Sequence, residues 1–501
     1  MAEMALSTLV SEGFARRVHG EASVRVGGIR HDSRAVEPGD LFVAIAGLRH
    51  HGSEYARDAI ARGAVAVLAE APLDLPVPVV VADDALVSLS AIARRLYGDP
   101  TAALDVVGIT GTNGKTTTAY LIEAMLFATG ARPAVIGTVS FRGPGGERPP
   151  THTTPMADDL MRLARWAVDT GATHLVLEVS SHALAMHRVD GARFRVAAFT
   201  NLSQDHLDYH GDLESYARAK RRLFDELAPA CSVVNIDDPL GADIARTAQG
   251  RVLRCSRHPS AEAEVRAVEW RTDRDGIHAR VATPSGEVAL TSPLVGEHNL
   301  ENLLVAFGCG VGLGLDTTLT LRGLATCRGA PGRLERVDAR DLAIFVDYAH
   351  TPDAVERVLR AVRPLTPGRV WIVFGCGGDR DPGKRPLMGR AAAELADVAV
   401  LTSDNPRSEA PERILDAVEA GARAGGMQTA TRTELGRDRG RYVVEPDRRA
   451  AIALAVGRAA AGDTIVIAGK GHEKVQIVGA AKLPFDDCVE AREAVRVREG
   501  S

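Results

Sequence analysis

The segment Gly111-Thr112-Asn113-Gly114-Lys115-Thr116-Thr117 sets two glycines and a lysine ahead of consecutive hydroxyls, a combination suited to holding phosphate. Backbone N–H groups of such a loop cradle an anion, Lys115 adds a point charge for β- and γ-phosphates, and the Thr116 hydroxyl takes the position that ligates Mg²⁺. Thr117 supports the same turn. The usual G-x-x-x-x-G-K-[ST] pattern is not met in full, because Ile109 stands where its first glycine belongs. A second group consists of Glu178, in Leu177-Glu178-Val179-Ser180-Ser181-His182, and His206, in Asn201-Leu202-Ser203-Gln204-Asp205-His206-Leu207-Asp208-Tyr209-His210. Carboxylate oxygen suits Mg²⁺, whereas imidazole is a less usual ligand for so hard an ion. Taken singly, each of these residues reads as an ordinary solvated or capping side chain; the combination makes a candidate site for phosphoryl transfer. Asp404-Asn405-Pro406-Arg407 has the residue types of a turn. Lys220, with Arg218, Arg221 and Arg222 beside it, reads as a solvated cation on a charged helix, and Asn299 and Asn302 read as helix caps.

These residues need elements to hold them. Leu104–Thr110 reads as a buried strand and Lys115–Thr129 as a helix stopped by Gly130, so the glycine loop joins strand to helix. Apolar runs recur at Leu175–Val179, Val196–Thr200 and Val233–Ile236 with helical material between, which predicts a mostly parallel sheet covered by helices. Glu178 and His206 then fall at carboxyl ends of strands, where ligands bind in open α/β sheets. Before this region, residues 24–100 hold short β-rich runs such as Leu41–Ile45 and Ala64–Leu68 among Ala-rich helical patterns, and end in Gly98-Asp99-Pro100. Residues 251–295 carry short alternating segments with Thr283-Pro284-Ser285-Gly286 turn chemistry, expected as an antiparallel insertion. A third strand series runs through Ala343–Val346, Val370–Phe374, Val398–Leu401 and Thr464–Ala468. Arg333–Arg340 is the expected linker to it, and the domains predicted are 1–102, 103–335 and 336–501.

Composition narrows the function. A chain of 501 residues, 45% hydrophobic and 25% charged, is long enough for two or three cores. Its 60 basic and 65 acidic residues are interspersed, giving a formal net charge of -5 and no broad cationic face for nucleic acid or an anionic membrane. Apolar stretches are broken by charge or glycine well short of the roughly 20 residues of a membrane span. Cys231, Cys255, Cys309, Cys327, Cys376 and Cys488 lie far apart without a C-x-x-C pair or a secretory segment, so reduced thiols and a cytoplasmic location are expected. Small-molecule partners fit this balance best.

With these motifs in place, the chain resembles the Mur ligases, and within them the members that add a third residue to UDP-N-acetylmuramoyl-L-alanyl-D-glutamate. The resemblance is carried by GTNGKTTT at 111–118, HTTP at 152–155, LEVSSHAL at 177–184, TNLSQDHLDYHG at 200–211, GEHNLENLL at 296–304, DYAHTPD at 347–353, GCGGDRD at 375–381, DNPRSE at 404–409 and GKGHE at 469–473. It implies an α/β chain of three domains: an N-terminal UDP-binding domain, a central ATP-binding domain with a mostly parallel sheet and helices on both faces, and a C-terminal Rossmann-like domain that takes the amino acid. The compact G-T-N-G-K-[ST] loop of this family also accounts for Ile109. Carried onto matching positions, the resemblance implies ATP contacts from Gly111 to Thr117 and at Asn299, Asn302, Arg333 and Asp347. It further implies two Mg²⁺ ions held by Thr116, Glu178, His206 and a Lys220 carbamylated by CO₂, with Lys115, Glu178, His206 and Lys220 catalytic. A neutral lysine amine can capture CO₂ and then present oxygen to magnesium, which reverses the solvated reading of Lys220.

Ser33, Arg49 and His50 correspond to the UDP surface, and His152, Thr153, Thr154, Ser180 and Arg188 to contacts with the muramoyl peptide. Met186 departs from the family pattern, which has a glutamine there. Asp404-Asn405-Pro406-Arg407 resembles the form in members that add meso-diaminopimelate rather than lysine. A guanidinium fork binds the extra distal carboxylate in two charge-assisted bonds. Arg407 is its natural partner, Arg380 a second, while Asp404, Asn405 and Glu473 offer acceptors for an ammonium, with Pro406 and Gly469 beside them. The implied chemistry is an ATP-dependent acid–amino-acid ligation by a cytoplasmic monomer through an acyl phosphate. Rivals are the lysine-adding and D-alanyl-D-alanine-adding members, a folylpolyglutamate synthase, a kinase and an ATP-binding regulatory protein with a degenerate ligase fold.

Overall fold

The computed structural model describes residues 3–10, 15–47 and 50–500. The chain forms two compact units, one of residues 1–268, 281–288 and 301–324, the other of 269–280, 289–300 and 325–501. The first unit contains a five-stranded sheet in the order Ala15–His19, Val79–Ala82, Ala66–Ala69, Asp40–Val43, Gly28–Arg30. All neighbours in it are parallel except the first pair.

The larger sheet of this unit has central strands that are buried almost throughout, as parallel strands covered by helices must be. Its central order is Pro133–Ile136, His174–Glu178, Asp105–Thr110, Val196–Phe199, Cys231–Asn235, Arg251–Ser256, all parallel. Glu178 lies in register with Ile109, and Phe199 with Thr110 on the other side. The last residues of three neighbouring strands therefore surround the start of the helix Lys115–Ala128. Gly114 caps that helix at φ 85°, and a Cβ there would collide with Asn302 Oδ1, so only glycine lets the loop turn this closely.

Two expectations are corrected. Arg251–Ser256 pairs parallel with Cys231–Asn235 rather than opening an antiparallel insertion. It is an interior strand paired on both sides, and its exposed and intermediate residues lie among buried ones. The predicted linker 333–340 contains the strand Glu335–Val337, antiparallel to Ala343–Asp347. Its charged, short sequence is that of an edge strand rather than a tether. The strands Val265–Asp273, Gly276–Thr283 and Gly286–Ser292 follow Arg251–Ser256, with the anticipated turn between the last two.

The second unit has a seven-stranded sheet ordered Glu335–Val337, Ala343–Asp347, Thr464–Ala468, Val370–Phe374, Val398–Leu401, Arg441–Val444, Gln428–Thr429. Every pair but the first is parallel. The buried side chains divide into two clusters, one including Phe345, Ile372 and Leu401, the other Trp371, Val400 and Ile467. Arg448, at the start of the helix Arg448–Arg458, forms an ion pair with Asp487 at 2.6 Å with both side chains at 0% exposure, and donates to Ala468 O at 2.9 Å. All six cysteines are free and buried, and no helix among the described residues is long and apolar enough to cross a membrane. Asp487→Ala would leave the Arg448 charge buried and uncompensated; a loss of about 3–5 kcal/mol is expected, read as a lower urea midpoint at unchanged slope.

Candidate functional site

Glu178 is the centre of the first unit's site. Its carboxylate is 1% exposed and accepts from Thr116 Oγ1 at 2.8 Å, from Thr138 N at 2.9 Å and from Thr138 Oγ1 at 3.0 Å. Thr116 comes from the loop–helix junction and Thr138 from the end of the neighbouring strand, so the two elements meet on one carboxylate. A Cβ at Gly137 would strike Glu178 Oε1, which explains the glycine before Thr138. Sequence reasoning missed Thr138; its signal was a Gly-Thr pair directly after the buried run Pro133–Ile136 that neighbours the Glu178 strand.

The loop is braced from the strand Val196–Phe199 side as well. Thr200 Oγ1 donates to Asn113 O at 2.6 Å, Asn201 Oδ1 accepts from Asn113 N at 3.0 Å, and Thr112 Oγ1 donates to Ser203 O at 3.1 Å while lying 3.2 Å from the Tyr216 hydroxyl. Lys115 Nζ donates to the loop carbonyls of Gly111 at 2.8 Å and Thr112 at 3.0 Å. Its charge thus sits over the anion cradle, held by groups a phosphate oxygen can replace.

Lys220 overturns the solvated reading. It lies on the helix Leu213–Asp225, whose buried face is Tyr216, Ala219, Lys220, Leu223 and Phe224, and is 1% exposed. Its Nζ stands 4.3 Å from the centre of the Tyr216 ring and has no hydrogen-bond or ion-pair partner among the described residues. Burial, with the Lys115 charge adding to it, holds its pKa well below the ordinary 10.5. The surroundings therefore disfavour the charged form. His206 is exposed, with φ 54°, and its ring packs edge-on to His182 at 4.9 Å rather than bonding Glu178. Burial and the neighbouring His206 and His210 push His182 down to about 4.

On the other side of Glu178, Thr154 Oγ1 donates to Glu178 O at 2.8 Å and accepts from Ser180 N at 3.0 Å, and Thr153 Oγ1 lies 3.1 Å from Thr138 Oγ1. Arg188 donates to Thr154 O at 3.0 Å and to Met186 Sδ at 3.0 Å, has no carboxylate partner among the described residues, and keeps a buried, unbonded Nε. An anion is what such a guanidinium lacks. His152 lines a cleft of about 600 Å³ with His31, Asp158 and Arg162; a cleft of about 730 Å³ shares His31, Asp32 and Arg34 with it and includes Ser33 and His50. Arg49 lies outside the described residues. Asn302 contacts the loop at Gly114, as noted, and Asn299 donates to Val295 O at 2.8 Å.

In the second unit, Asn405 Nδ2 donates to Glu473 Oε2 at 2.8 Å, and Asn405 Oδ1 accepts from Ile477 N at 2.9 Å. Arg407, at φ 52°, donates from Nη1 to Gly378 O at 2.7 Å, while Pro406 is buried. A Cβ at Gly377 would lie 2.9 Å from Arg407 Nη1 and 3.7 Å from Arg380 Cγ, so both arginines flank one backbone position. Gly469, at φ 117°, donates its N–H to Asp347 O at 3.1 Å. Asp347 accepts from Leu334 N at 2.7 Å and Ala349 N at 2.8 Å; burial raises its pKa against the opposing pull of Arg333, which lies 5.0 Å over the Tyr348 ring. Lys470, part of GKGHE at 469–473 but given no role there, is fully buried among the acceptors Asp404, Asn405 and Glu473.

The state of Lys220 can be read from stability. Its folded pKa is depressed, so between that value and 10.5 the unfolded chain binds a proton that the folded chain lacks, and stability rises with pH. Lys220→Met should flatten this rise in denaturation measured across that window at low CO₂. An unchanged slope would mean that Lys220 is charged in the folded protein.

Residues 109–310 match the Mur ligase middle domain, 332–471 the Mur ligase, glutamate ligase domain, and 25–109 the Mur ligase family, catalytic domain. A UDP-N-acetylmuramoyl-L-alanyl-D-glutamate–2,6-diaminopimelate ligase of Gloeobacter violaceus is 46% identical over 481 residues, 95% of each chain. One of the same name from Geobacter metallireducens is 44% identical over 489 residues, again 95% of each. A solved structure of a ligase with that name superposes at a TM-score of 0.74, with 33% identity and 100% of both chains covered. The chain belongs to the Mur ligase family.

Proposed function

We propose that this chain is an ATP-dependent ligase that joins meso-2,6-diaminopimelate to UDP-N-acetylmuramoyl-L-alanyl-D-glutamate, a cytoplasmic step in making peptidoglycan precursors. The observation that carries the reading is the phosphate loop bonded through Thr116 to the buried Glu178 carboxylate, in a chain 46% identical to a ligase so named. Three domains, 1–102, 103–335 and 336–501, divide the work among UDP, ATP and amino acid, and the chain acts as a monomer.

In the reaction, the D-glutamate side-chain carboxylate attacks the γ-phosphorus of ATP, ADP leaves, and an acyl phosphate results. The diaminopimelate amine then adds to the acyl carbon; inorganic phosphate departs, a proton is lost and an amide forms. Gly111 to Thr117 hold the phosphates, Lys115 trading its loop carbonyls for phosphate oxygens, and Asn302 supports the loop from its helix. Asn299, Arg333 and Asp347 complete the nucleotide contacts. The donor set around Glu178 is oxygen-rich and buried, which fits a hard divalent cation, and Thr116, Glu178, His206 and Lys220 would hold two Mg²⁺ ions. When bound, Mg²⁺ spreads the charge that develops on the transferring phosphoryl group. A Lys220 pushed toward its neutral amine fits carbamylation: its nitrogen bonds the carbon of CO₂, a proton leaves, and the uncharged amine becomes an anion with two oxygen donors.

Ser33, Arg49 and His50 serve the UDP end of the substrate. His152, Thr153, Thr154, Ser180 and the anion-lacking Arg188 serve the muramoyl peptide. Diaminopimelate is held by Arg380, Asp404, Asn405, Pro406, Arg407, Gly469 and Glu473, with Arg407 pairing the distal carboxylate. That pair sets the choice of amine, because lysine would leave the guanidinium unmatched.

Phosphate release from ATP with the UDP-muramoyl dipeptide should depend on meso-diaminopimelate and be far slower with L-lysine. Arg407→Ala should raise the diaminopimelate KM by a factor of about 30 or more, the equivalent of about 2 kcal/mol, with the ATP KM unchanged. A wild-type preference for lysine would contradict the Arg407 assignment.

A further inference from the structure

Lys470 sits in the second unit between two carboxylates, and its side chain is 0% exposed. Nζ donates to Asn405 Oδ1 at 2.9 Å and to Glu473 Oε2 at 3.3 Å, and stands 3.6 Å from Asp404 Oδ1. Asn405 is thereby fixed in one orientation. Its carbonyl oxygen accepts from both Lys470 and Ile477 N, and its amide nitrogen donates to Glu473; a flipped amide would set its own N–H groups against an ammonium. Asp404 Oδ1 is buried and receives no hydrogen bond, an unmet acceptor of the kind that asks for a ligand. The Lys470 ammonium with the Asp404 and Glu473 carboxylates leaves that trio one unit of negative charge. That charge matches a second, incoming ammonium.

We propose that Lys470 is a positioning residue for the amino-acid substrate: its buried ammonium orders Asn405 and Glu473 and leaves Asp404 Oδ1 free to accept from the ammonium of the incoming amino acid. The proposal rests on the ligase reading above. It assigns Lys470 no contact with the reacting atoms, so the loss expected on replacing it is in amine binding rather than in activation of the substrate carboxylate.

The test is steady-state kinetics of the full chain with Lys470→Met, which keeps the length of the side chain, and Lys470→Gln, which keeps an N–H donor but no charge. Both should raise the KM for meso-diaminopimelate by at least about tenfold, with the KM values for ATP and the UDP-muramoyl dipeptide within about twofold of wild type. A residue that merely fills space would lower Tm and leave the diaminopimelate KM alone, which overturns the proposal, as does failure of both variants to fold. No amine-dependent turnover by the wild type would instead refute the ligase reading itself.

Discussion

A carboxylate at 1% exposure must be surrounded by donors or give up its charge, and the first unit is arranged around meeting that demand at Glu178. The donors come from Thr116 and Thr138, which belong to elements on either side of its strand. Only a parallel sheet ordered Pro133–Ile136, His174–Glu178, Asp105–Thr110 brings those carboxyl ends together, and only glycine at 137 leaves room for the carboxylate. The phosphate loop is consequently tied to its neighbours before any nucleotide arrives. Its other side is tied by Thr200, Asn201 and Ser203, so the cradle is a rigid place for charge to develop.

Lys220 imposes the complementary constraint. Placing a lysine in the apolar stripe of an amphipathic helix costs free energy while it is charged, and the Lys115 ammonium nearby adds to that cost. The fold thus gives up stability to bury a lysine within reach of the Lys115 charge, a pattern more common at functional than at purely structural positions. In the second unit the opposite economy holds. Arg448 and Lys470 remain buried because carboxylates meet them, and they fasten the strand ends on which Asp404, Asn405 and Glu473 stand.

Much of the fold was legible because buried parallel strands are continuous apolar runs. Val370–Phe374, Val398–Leu401 and Thr464–Ala468 match to the residue, and Asp105–Thr110 within one. Two strands were not legible: Arg251–Ser256, interior to its sheet, and Glu335–Val337, at the edge of its own, are partly polar, so periodicity could not separate them from an insertion or a linker. Within the site, the loop and Glu178 announced themselves by type and position. The burial of Lys220 was masked by Arg218, Arg221 and Arg222, although its spacing from Tyr216, Leu223 and Phe224 marks the helix's apolar face. Thr138 was missed, and Lys470 was quoted without a role, because a hydrogen bond across neighbouring strands or loops leaves no local pattern.

If a substrate carboxylate is activated by phosphoryl transfer at the Glu178 site, one of its oxygens must leave with phosphate. Oxygen-18 placed in the D-glutamate side-chain carboxylate of the UDP-muramoyl dipeptide reports on it directly. The account predicts one labelled oxygen in each inorganic phosphate released during amide formation, detected by mass spectrometry or by the isotope shift in phosphorus NMR. Unlabelled phosphate accompanying amide product would contradict it, because the carboxylate would then never have been joined to phosphorus.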